Sequence, residues 1–527
     1  MAYKKLGRIL GKIMILEAVL MMAPLTVGFI YKESFVHILA FAIPILALTL
    51  IGFLLQIPKP ERNNLYQKEG FALTTMVWIV MTLFGAVPFV INGDIPSYVD
   101  ACFEIMSGFT TTGSSIITDI TAVSHSTLFW RIFSHWIGGM GILVFVLIFI
   151  PESNDGSSMH LLRAESPGPQ VGKIVSKMKV TTRILYLIYL GMTALEIIIL
   201  LIGPLTDYSA MVRDLGVEAA TAYHNDKVFH AFLISFGCAG TGGFGFMPGS
   251  MEYFTPFAQY VMSVFLILFG VNFSLYYLIL IGKVKDVLRS EEFRSYFMIV
   301  IAAVGFVLLS LVGKFEAFPQ IYNIEEAFRH SLFQVSSLIT TAGYTTTDYD
   351  VWPMLAKTTL VVVMFIGAMA GSTAGGIKVS RIVMAVKGAY INVRKLINPR
   401  YVPKAKFEGK TLEQNTINDV FAFITLYFFI FIAALFLLSF DSVNGTVVEI
   451  VSDAGSYEVR HGFFSNFSTV LTCISNVGPA FEAVGPYSSF AGYNDISTVI
   501  LMFIMMLGRL EILPVLILFN KRTWKKV

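Results

Sequence analysis

The feature that most constrains this chain is a series of ten mainly apolar segments, each long enough to cross a lipid bilayer. A membrane-spanning helix needs about 20 such residues. The segments lie at 9–31, 34–57, 70–92, 126–150, 181–203, 256–282, 295–313, 354–385, 416–440 and 494–520. Only 14% of the 527 residues are charged, and the mean hydropathy is +0.71. This is too little charge for the surface of a soluble protein, so the chain is predicted to be an all-α integral membrane protein.

The basic residues predict how these spans are oriented, because Lys and Arg accumulate on the cytoplasmic side. With the N-terminus inside, 29 of the 38 Lys and Arg fall in inner segments, and both termini are expected in the cytoplasm. The first basic cluster (Lys4, Lys5, Arg8 and Lys12) precedes an apolar run without a cleavage site, which favours an anchor over a removed signal peptide. The same topology places 21 of the 35 acids outside, Asp119, Asp348 and Glu482 among them, where they attract cations.

Other classes of protein find little support in the sequence. A dispersed net charge of +3 excludes a nucleic-acid binder, and Cys102, Cys238 and Cys473 are too few and too far apart for a disulfide framework or a zinc cluster. The run GTGGFG (240–245) matches a dinucleotide pattern but follows no strand, and GSTAGGIK (371–378) resembles a phosphate loop without its sheet. A membrane enzyme acting on a lipid-linked substrate needs clustered acids or histidines, and the sequence has none. We therefore expect no enzyme activity.

Four of the five outer connections share one internal order: an aromatic-rich helical stretch, then small and hydroxyl residues, then glycine. They read FEIMSGFTTTGSS (103–115), FHAFLISFGCAGTGGFG (229–245), FRHSLFQVSSLITTAGYTTT (328–347) and FFSNFSTVLTCISNVGPAF (463–481). When their glycines are aligned, Ser107, Gly237, Ser337 and Thr472 each lie six residues earlier. The glycines are 130, 100 and 135 residues apart, which indicates four repeats of span, loop and span.

These repeats predict a pore. Non-helical backbone at membrane depth is tolerated only where protein buries it or where it lines an aqueous path, so four re-entrant loops favour a ring around one axis. Glycine lets carbonyl groups face inward, and a carbonyl ring replaces the hydration shell of an alkali cation. The short helices would aim their partially negative C-terminal ends at the same centre. The alternative is that the loops are glycine-rich outer loops of a transporter without a filter role.

The same residues resemble the Trk/Ktr/HKT superfamily of potassium transporters, most closely its TrkH-type membrane subunits, over nearly the whole chain. The motifs are SGFTTTG (107–113), HWIGGMGILV (135–144), GVNFSLYY (270–277), TTAGYTT (340–346), GAMAGSTAGGIKVSR (367–381), SNVGP (475–479) and LGRLEILP (507–514). The resemblance implies ten transmembrane helices: two N-terminal helices, then four repeats of span, re-entrant pore loop and span around one central pore. It also implies potassium as the transported ion and no covalent or nucleotide cofactor in this chain.

The resemblance carries a potassium filter onto four sets of residues. They are Thr110, Thr111, Thr112, Gly113 and Ser114; Gly240, Thr241, Gly242, Gly243 and Phe244; Thr340, Thr341, Ala342, Gly343 and Tyr344; Ser475, Asn476, Val477, Gly478 and Pro479. The fourth set departs most from the others, which leaves its register open. In plant relatives a serine at the first-loop glycine accompanies sodium selectivity, so Gly113 favours potassium.

A gate is expected in the third repeat. Gly371, Ser372, Thr373, Ala374, Gly375 and Gly376 interrupt an apolar span, which predicts local unwinding and a cavity. In the family this loop obstructs the pore below the filter, and the family's arginine of the last span matches Arg509. Backbone carbonyls of 371–376 are the expected partners of Arg509, with Glu511 as a local partner. The alternative is tight helix packing, since the glycines also have small-xxx-small spacing. Glu17 and Glu196 stay unassigned.

The predicted units are a two-helix extension (1–66) and four pore repeats (67–165, 166–290, 291–400 and 401–527). The resemblance implies a homodimer in the bacterial cytoplasmic (inner) membrane, regulated by a cytosolic nucleotide-binding (TrkA-like) subunit. The basic segment 386–415 is open to three interpretations: a solvated inner loop, a site for anionic membrane lipid, or the docking site of that subunit. Sodium-coupled or sodium-selective symport is the competing transport function.

Overall fold

The computed structural model describes residues 3–59, 67–141, 178–312, 321, 323–398, 405–510, 512–516, 518 and 520. In these ranges the protein is mostly helical. The helices are α1 (Tyr3–Ile30), α2 (Phe35–Gln56), α3 (Gln67–Gly85), α4 (Val87–Asn92), α5 (Tyr98–Phe109), α6 (His125–Gly139), α7 (Met178–Ile202), α8 (Tyr208–Leu215), α9 (Val217–Asn225), α10 (Lys227–Gly240), α11 (Pro256–Phe269), α12 (Phe273–Leu280), α13 (Val284–Arg289), α14 (Glu291–Leu311), α15 (Ile324–Ile339), α16 (Met354–Phe365), α17 (Val379–Ile397), α18 (Gln414–Leu438), α19 (Phe463–Ser475), α20 (Asp495–Arg509) and α21 (Leu513–Leu516).

Two short antiparallel hairpins complete the secondary structure. One pairs β1 (Lys406–Phe407) with β2 (Lys410–Thr411), and the other pairs β3 (Val447–Ser452) with β4 (Gly455–Arg460). In the longer hairpin Val448 faces Val459 and Ile450 faces Tyr457. This hairpin directly precedes α19 and contributes to the cavity described below.

Six of the described helices are long and apolar enough to cross a membrane. They are Tyr3–Ile30, Phe35–Gln56, Lys68–Asn92, Val180–Ile202, Glu291–Leu311 and Gln414–Leu438. The segment predicted as one span over 256–282 is instead α11 and α12, which meet at 93°. The bend follows from local bonding, because the Asn272 side chain accepts the amide of Ser274 at 2.8 Å and starts a new helix there.

The other three predicted spans are shorter helices or fall partly outside the described residues. The span predicted over 126–150 is described only to residue 141, as α6, and the one over 494–520 is α20 followed by α21. The span over 354–385 is divided into α16 and α17 by a non-helical stretch at 366–378, as its glycines predict. The N-terminal pair α1 and α2 pack through Gly11 and Gly52, where an added Cβ would meet the partner's backbone carbonyl.

Four short helices prepare the four repeated loops. α5, α10, α15 and α19 have 12 to 16 residues and are largely buried. Side chains at the start of two of them act as N-caps: Ser97 accepts the amide of Asp100, and Asn323 accepts the amide of Glu326. All four helices end immediately before one of the repeated loops, so their C-terminal dipole ends point at those loops.

Candidate functional site

The four repeated loops have the same backbone conformation. The residue two positions before each aligned glycine is left-handed, with φ of 54°, 52°, 56° and 57° at Thr111, Thr241, Thr341 and Asn476. The aligned glycines Gly113, Gly243, Gly343 and Gly478 also have positive φ. In each loop the amide between these two residues donates to the residue six before the glycine, at 2.7 to 3.1 Å. The alignment on Gly478 therefore gives the fourth loop the same register as the other three.

The aligned glycines bring the loops together in a closed ring. A Cβ on Gly113 would collide with the carbonyl oxygen of Gly242, and one on Gly243 with that of Ala342. A Cβ on Gly343 would collide with the carbonyl oxygen of Val477. The series returns to its start at Gly478, whose Cβ would stand 2.8 Å from the carbonyl oxygen of Thr112. We call these twelve residues the loop ring: Thr111, Thr112, Gly113, Thr241, Gly242, Gly243, Thr341, Ala342, Gly343, Asn476, Val477 and Gly478.

A cavity of about 710 Å³ opens at the glycine end of the loop ring. All four aligned glycines line it, together with Val448, Glu449 and Val451 of the hairpin. Asp119 also lines it, and the Thr121 hydroxyl and amide hold the pKa of this exposed carboxyl below its usual value. Two acidic side chains, Asp119 and Glu449, and one basic side chain, Arg131, therefore line the approach to the loop ring.

Two acids expected in this outer field have other roles. Asp348 is fully buried, accepts the Tyr457 hydroxyl at 2.6 Å and does not line the cavity. Glu482 accepts the Ser465 hydroxyl at 2.7 Å and does not line the cavity. Glu104, on the helix before the first loop, is fully buried and paired with Arg131 at 2.6 Å. Of the three acids singled out from the sequence, Asp119 lines the cavity and Asp348 and Glu482 do not, while the outer position of the 21 acids stays a prediction.

The non-helical stretch 366–378, here called the interrupted segment, touches the opposite end of the loop ring. The Gly375 amide donates to the Thr341 hydroxyl at 2.7 Å, and a Cβ on Gly375 would stand 2.9 Å from that of Asn476. The segment also binds the bend between α11 and α12, since the Phe273 amide donates to the Gly371 carbonyl at 3.0 Å. It therefore lies across the helix side of the ring while the cavity lies on the other side.

Three charged side chains hold the interrupted segment. The Arg509 guanidinium donates to the Thr373 carbonyl at 2.7 Å and to the Gly138 and Gly139 carbonyls at 2.6 and 2.7 Å. The ammonium of buried Lys378 donates to the Ala374 carbonyl. From α14, the Glu292 carboxylate accepts the Ala370 amide at 2.7 Å. Arg509 thus joins α20, the interrupted segment and the end of α6.

Sequence reasoning placed Arg509 on carbonyls of 371–376, and Thr373 is one of them. It missed the contact with α6, which is separated from Arg509 by 371 residues and has no local signal. It also gave no role to Lys378, which the structure shows to be buried at the end of the interrupted segment. Glu511, the expected local partner of Arg509, lies outside the described residues.

The remaining candidates are buried without a clear function. Both carboxylate oxygens of Glu17 and of Glu196 lack a hydrogen-bond partner among the described residues. All three cysteines are free and buried. Over the described ranges there is no group of three His, Cys, Asp or Glu that could hold a metal ion. The polar chemistry of the site therefore resides in backbone carbonyls, hydroxyls and a few buried charges.

Comparison with known proteins matches residues 37–526 to the family model TrkH, described as cation transport protein. The chain belongs to the TrkH family of cation transport proteins. It is 30% identical to the "Trk system potassium uptake protein TrkH" of Salmonella typhimurium over 536 residues, covering 100% of both chains. It is 29% identical to the Escherichia coli K12 "Trk system potassium uptake protein TrkG", with 98% of this chain and 97% of that one covered.

The structural comparison agrees with this family assignment. The crystal structure of the potassium transporter TrkH from Vibrio parahaemolyticus superimposes with a TM-score of 0.81 at 27% identity, covering 100% of both chains. The resemblance inferred from motifs is confirmed, as is the prediction of a transporter and not an enzyme. Membership of the TrkH family also accounts for the apolar helices as parts of a multi-pass membrane protein.

Proposed function

We propose that this chain is the membrane subunit of a potassium uptake system and that the loop ring is its selectivity filter. The observation that carries this proposal is the closed series of four glycine and carbonyl contacts, which comes from four repeats in equivalent register. Carbonyl oxygens arranged around one axis replace the hydration shell of an alkali cation. The relatives named for potassium uptake match the chain over its whole length, which supports the choice of ion.

The interrupted segment is proposed as the gate. It contacts Thr341 at the helix side of the ring, and Arg509 places a positive charge beside it. A fixed cation in a narrow path repels a permeant cation, so the path conducts when the segment and Arg509 move aside. Opening has to break the bonds of Arg509 to three carbonyl oxygens, which gives the closed state its stability.

The topology completes the proposal. We propose ten spans with four re-entrant loops and both termini cytoplasmic, an arrangement in which the 710 Å³ cavity faces outward and the interrupted segment lies on the inner side of the filter. We propose a homodimer in the bacterial inner membrane with a cytosolic regulatory subunit. Support for such a partner is the C-terminal turn of α17, where Leu396 and Ile397 are 83% and 79% exposed beside Arg394 and Lys395.

Flux in liposomes tests the function. Purified protein reconstituted with internal potassium should take up tracer rubidium or potassium down the resulting potential, with external sodium competing poorly. Gly113→Ser tests the filter, and Gly216→Ser is its matched control because Gly216 has nearly the same φ (87° against 85°) with no heavy atom within 4 Å of an added Cβ. Uptake that requires sodium, or that carries sodium equally well, would support the competing symport function and overturn potassium selectivity.

A further inference from the structure

The support of the second loop differs from that of the third and fourth. In loops three and four a hydroxyl on the preceding short helix bonds the carbonyl that follows the aligned glycine. Ser337 donates to the Tyr344 carbonyl at 2.7 Å, and Thr472 donates to the Pro479 carbonyl at 3.1 Å. The equivalent residue before loop two is Gly237, which has no side chain. In loop one the hydroxyl of the equivalent Ser107 has no hydrogen-bond partner among the described residues, and in loop two such a bond cannot form at all.

His135 of α6 supplies a bond at this place. Its side chain is fully buried between the first and second loops. The Nδ1 atom lies 2.9 Å from the Gly108 carbonyl oxygen, and the Phe244 amide donates to Nε2 at 3.3 Å. Phe244 directly follows the aligned glycine Gly243. The imidazole therefore links the helix before loop one to the backbone of loop two.

The two hydrogen-bond partners determine the protonation state of the His135 imidazole. A carbonyl oxygen only accepts and an amide N–H only donates, so Nδ1 must carry the proton and Nε2 must offer its lone pair. The ring is consequently neutral, which suits a site near the guanidinium of Arg131. A protonated imidazole would offer a second N–H to the Phe244 amide and lose that bond.

The His135 imidazole also fills the space beside Gly242. A Cβ on Gly242 would overlap the imidazole atoms, so the ring packs directly on the backbone whose carbonyl oxygen faces Gly113. One turn earlier, Arg131 donates to the Gly245 carbonyl at 3.1 Å, and its guanidinium stands 4.2 Å from the centre of the Phe244 ring. Side chains of α6 thus fix loop two on both sides of Phe244.

We propose that His135 is a positioning residue for ion selectivity: its neutral imidazole holds the second loop in register by accepting the Phe244 amide. In the third and fourth loops the residue equivalent to Phe244 is held instead through its carbonyl, by a hydroxyl. This inference rests on the proposed function of the loop ring as a potassium filter. His135 touches no ion. It acts through the Phe244 amide and the Gly242 backbone.

Three substitutions of His135 remove its two hydrogen bonds together or one at a time. His135→Leu removes both and leaves the buried Phe244 amide without an acceptor. The amide of His135→Asn reaches only the Nδ1 position and keeps the Gly108 bond, whereas the carbonyl of His135→Gln reaches the Nε2 position and keeps the Phe244 bond. We expect the potassium-over-sodium ratio in liposomes to fall roughly fivefold or more in the Leu and Asn variants and to stay within about twofold in Gln, since one buried hydrogen bond accounts for a factor of that size.

His230→Leu is the control, because His230 is also buried on a pore-loop helix but its Nδ1 has no partner among the described residues. Its ratio should equal that of the wild type. A second readout is ¹⁵N NMR of histidine-labelled protein: the imidazole signal that is missing from the His135→Gln spectrum should belong to a ring protonated at Nδ1. A purely structural role would reduce folded protein in all three His135 variants without separating Gln from Asn and Leu.

The outcomes distinguish this inference from the function it rests on. If liposomes with the wild-type protein take up no potassium, the proposed function fails. The tautomer seen by NMR still tests whether His135 bonds the Gly108 carbonyl and the Phe244 amide. If the wild type is selective and the Leu variant has the same ratio, or Gln loses as much as Leu, the role of His135 is wrong and the filter stands. An Nε2-protonated tautomer would also overturn it. If the Leu variant does not fold, the Gln and Asn pair decides.

Discussion

The loop ring and the interrupted segment are built in opposite ways. The ring consists of four copies of one backbone pattern, and its close contacts run from glycine to carbonyl around a closed circuit. The interrupted segment occurs once and is held by the side chains of Arg509, Lys378 and Glu292. Backbone oxygens cannot be changed by substitution, but charged side chains change their bonds readily. If the proposed function is right, ion discrimination depends on repeated backbone and opening depends on single side chains.

Gly113→Ser should break the ring and have the largest effect. The new Cβ would collide with the Gly242 carbonyl oxygen and displace one of the ring carbonyls. We expect the potassium-over-sodium ratio to fall more than about tenfold, the factor that corresponds to about 1.4 kcal/mol. Bi-ionic potentials in planar bilayers measure the ratio. An unchanged ratio, with Gly216→Ser equally unchanged, would remove Gly113 from the filter.

Arg509→Ala should affect opening and leave discrimination largely intact. Losing a net interaction of about 1–2 kcal/mol shifts the ratio of open to closed pores by roughly 5–30-fold. Tracer flux at matched amounts of folded protein should rise accordingly. Lys378→Met should also raise flux. The increase in the double variant should be smaller than the product of the two single increases, because both residues hold one segment.

Strictly multiplicative effects, or reduced flux in either single variant, would favour helix packing over a gate. Selectivity sharpens the comparison further. Arg509 also binds the Gly138 and Gly139 carbonyls, less than two turns beyond His135 on α6. A changed ion ratio in Arg509→Ala would therefore show that gate and filter communicate through this helix.

The ring could be predicted from sequence because its signal is local and occurs four times. Each aligned position has positive φ and a close backbone approach. Both requirements favour glycine, so they can be read from the sequence. Even the divergent fourth loop obeys them at Gly478. The interruption of the third repeat was likewise readable, since Gly371, Gly375 and Gly376 weaken a helix locally.

The supports of the ring and the gate could not be predicted in the same way. Arg131 and Glu104 form a buried ion pair, and no motif in the sequence indicated it. His135 meets Phe244 across 109 residues. These contacts depend on how the repeats pack together, which spacing along one chain does not reveal.

Acids that line the 710 Å³ cavity should differ in effect from a buried acid that does not line it. Asp119→Asn combined with Glu449→Gln should reduce initial uptake about twofold to fivefold at low ionic strength, because both charges line the cavity. The loss should largely disappear in high salt, where fields are screened within about 8 Å or less. Asp348→Asn is the matched control and should change stability more than rate. A salt-independent loss in the double variant would indicate misfolding.

A smaller effect is expected on stability. Burial, together with the charge of Asp348, raises the pKa of Asp350 to about 7, and burial with the charge of Asp453 raises that of Glu252 to about 7. Because the folded state holds these protons more tightly than the unfolded state, stability should fall as the pH rises from about 4 to about 7. The melting temperature of Asp350→Asn should therefore exceed that of the wild type by more at pH 8 than at pH 5. Thermal unfolding in detergent measures this, and a larger gain at pH 5 would contradict it.

The most direct test of the account is to locate a permeant ion in the pore. Thallium replaces potassium and scatters anomalously, so crystals of the full-length protein soaked with thallium give its position without ambiguity. The account predicts an anomalous peak on the axis of the loop ring, coordinated by the carbonyl oxygens of Thr112, Gly242, Ala342 and Val477. Thallium bound only at Asp119 and Glu449 of the cavity, with none inside the ring, would contradict it.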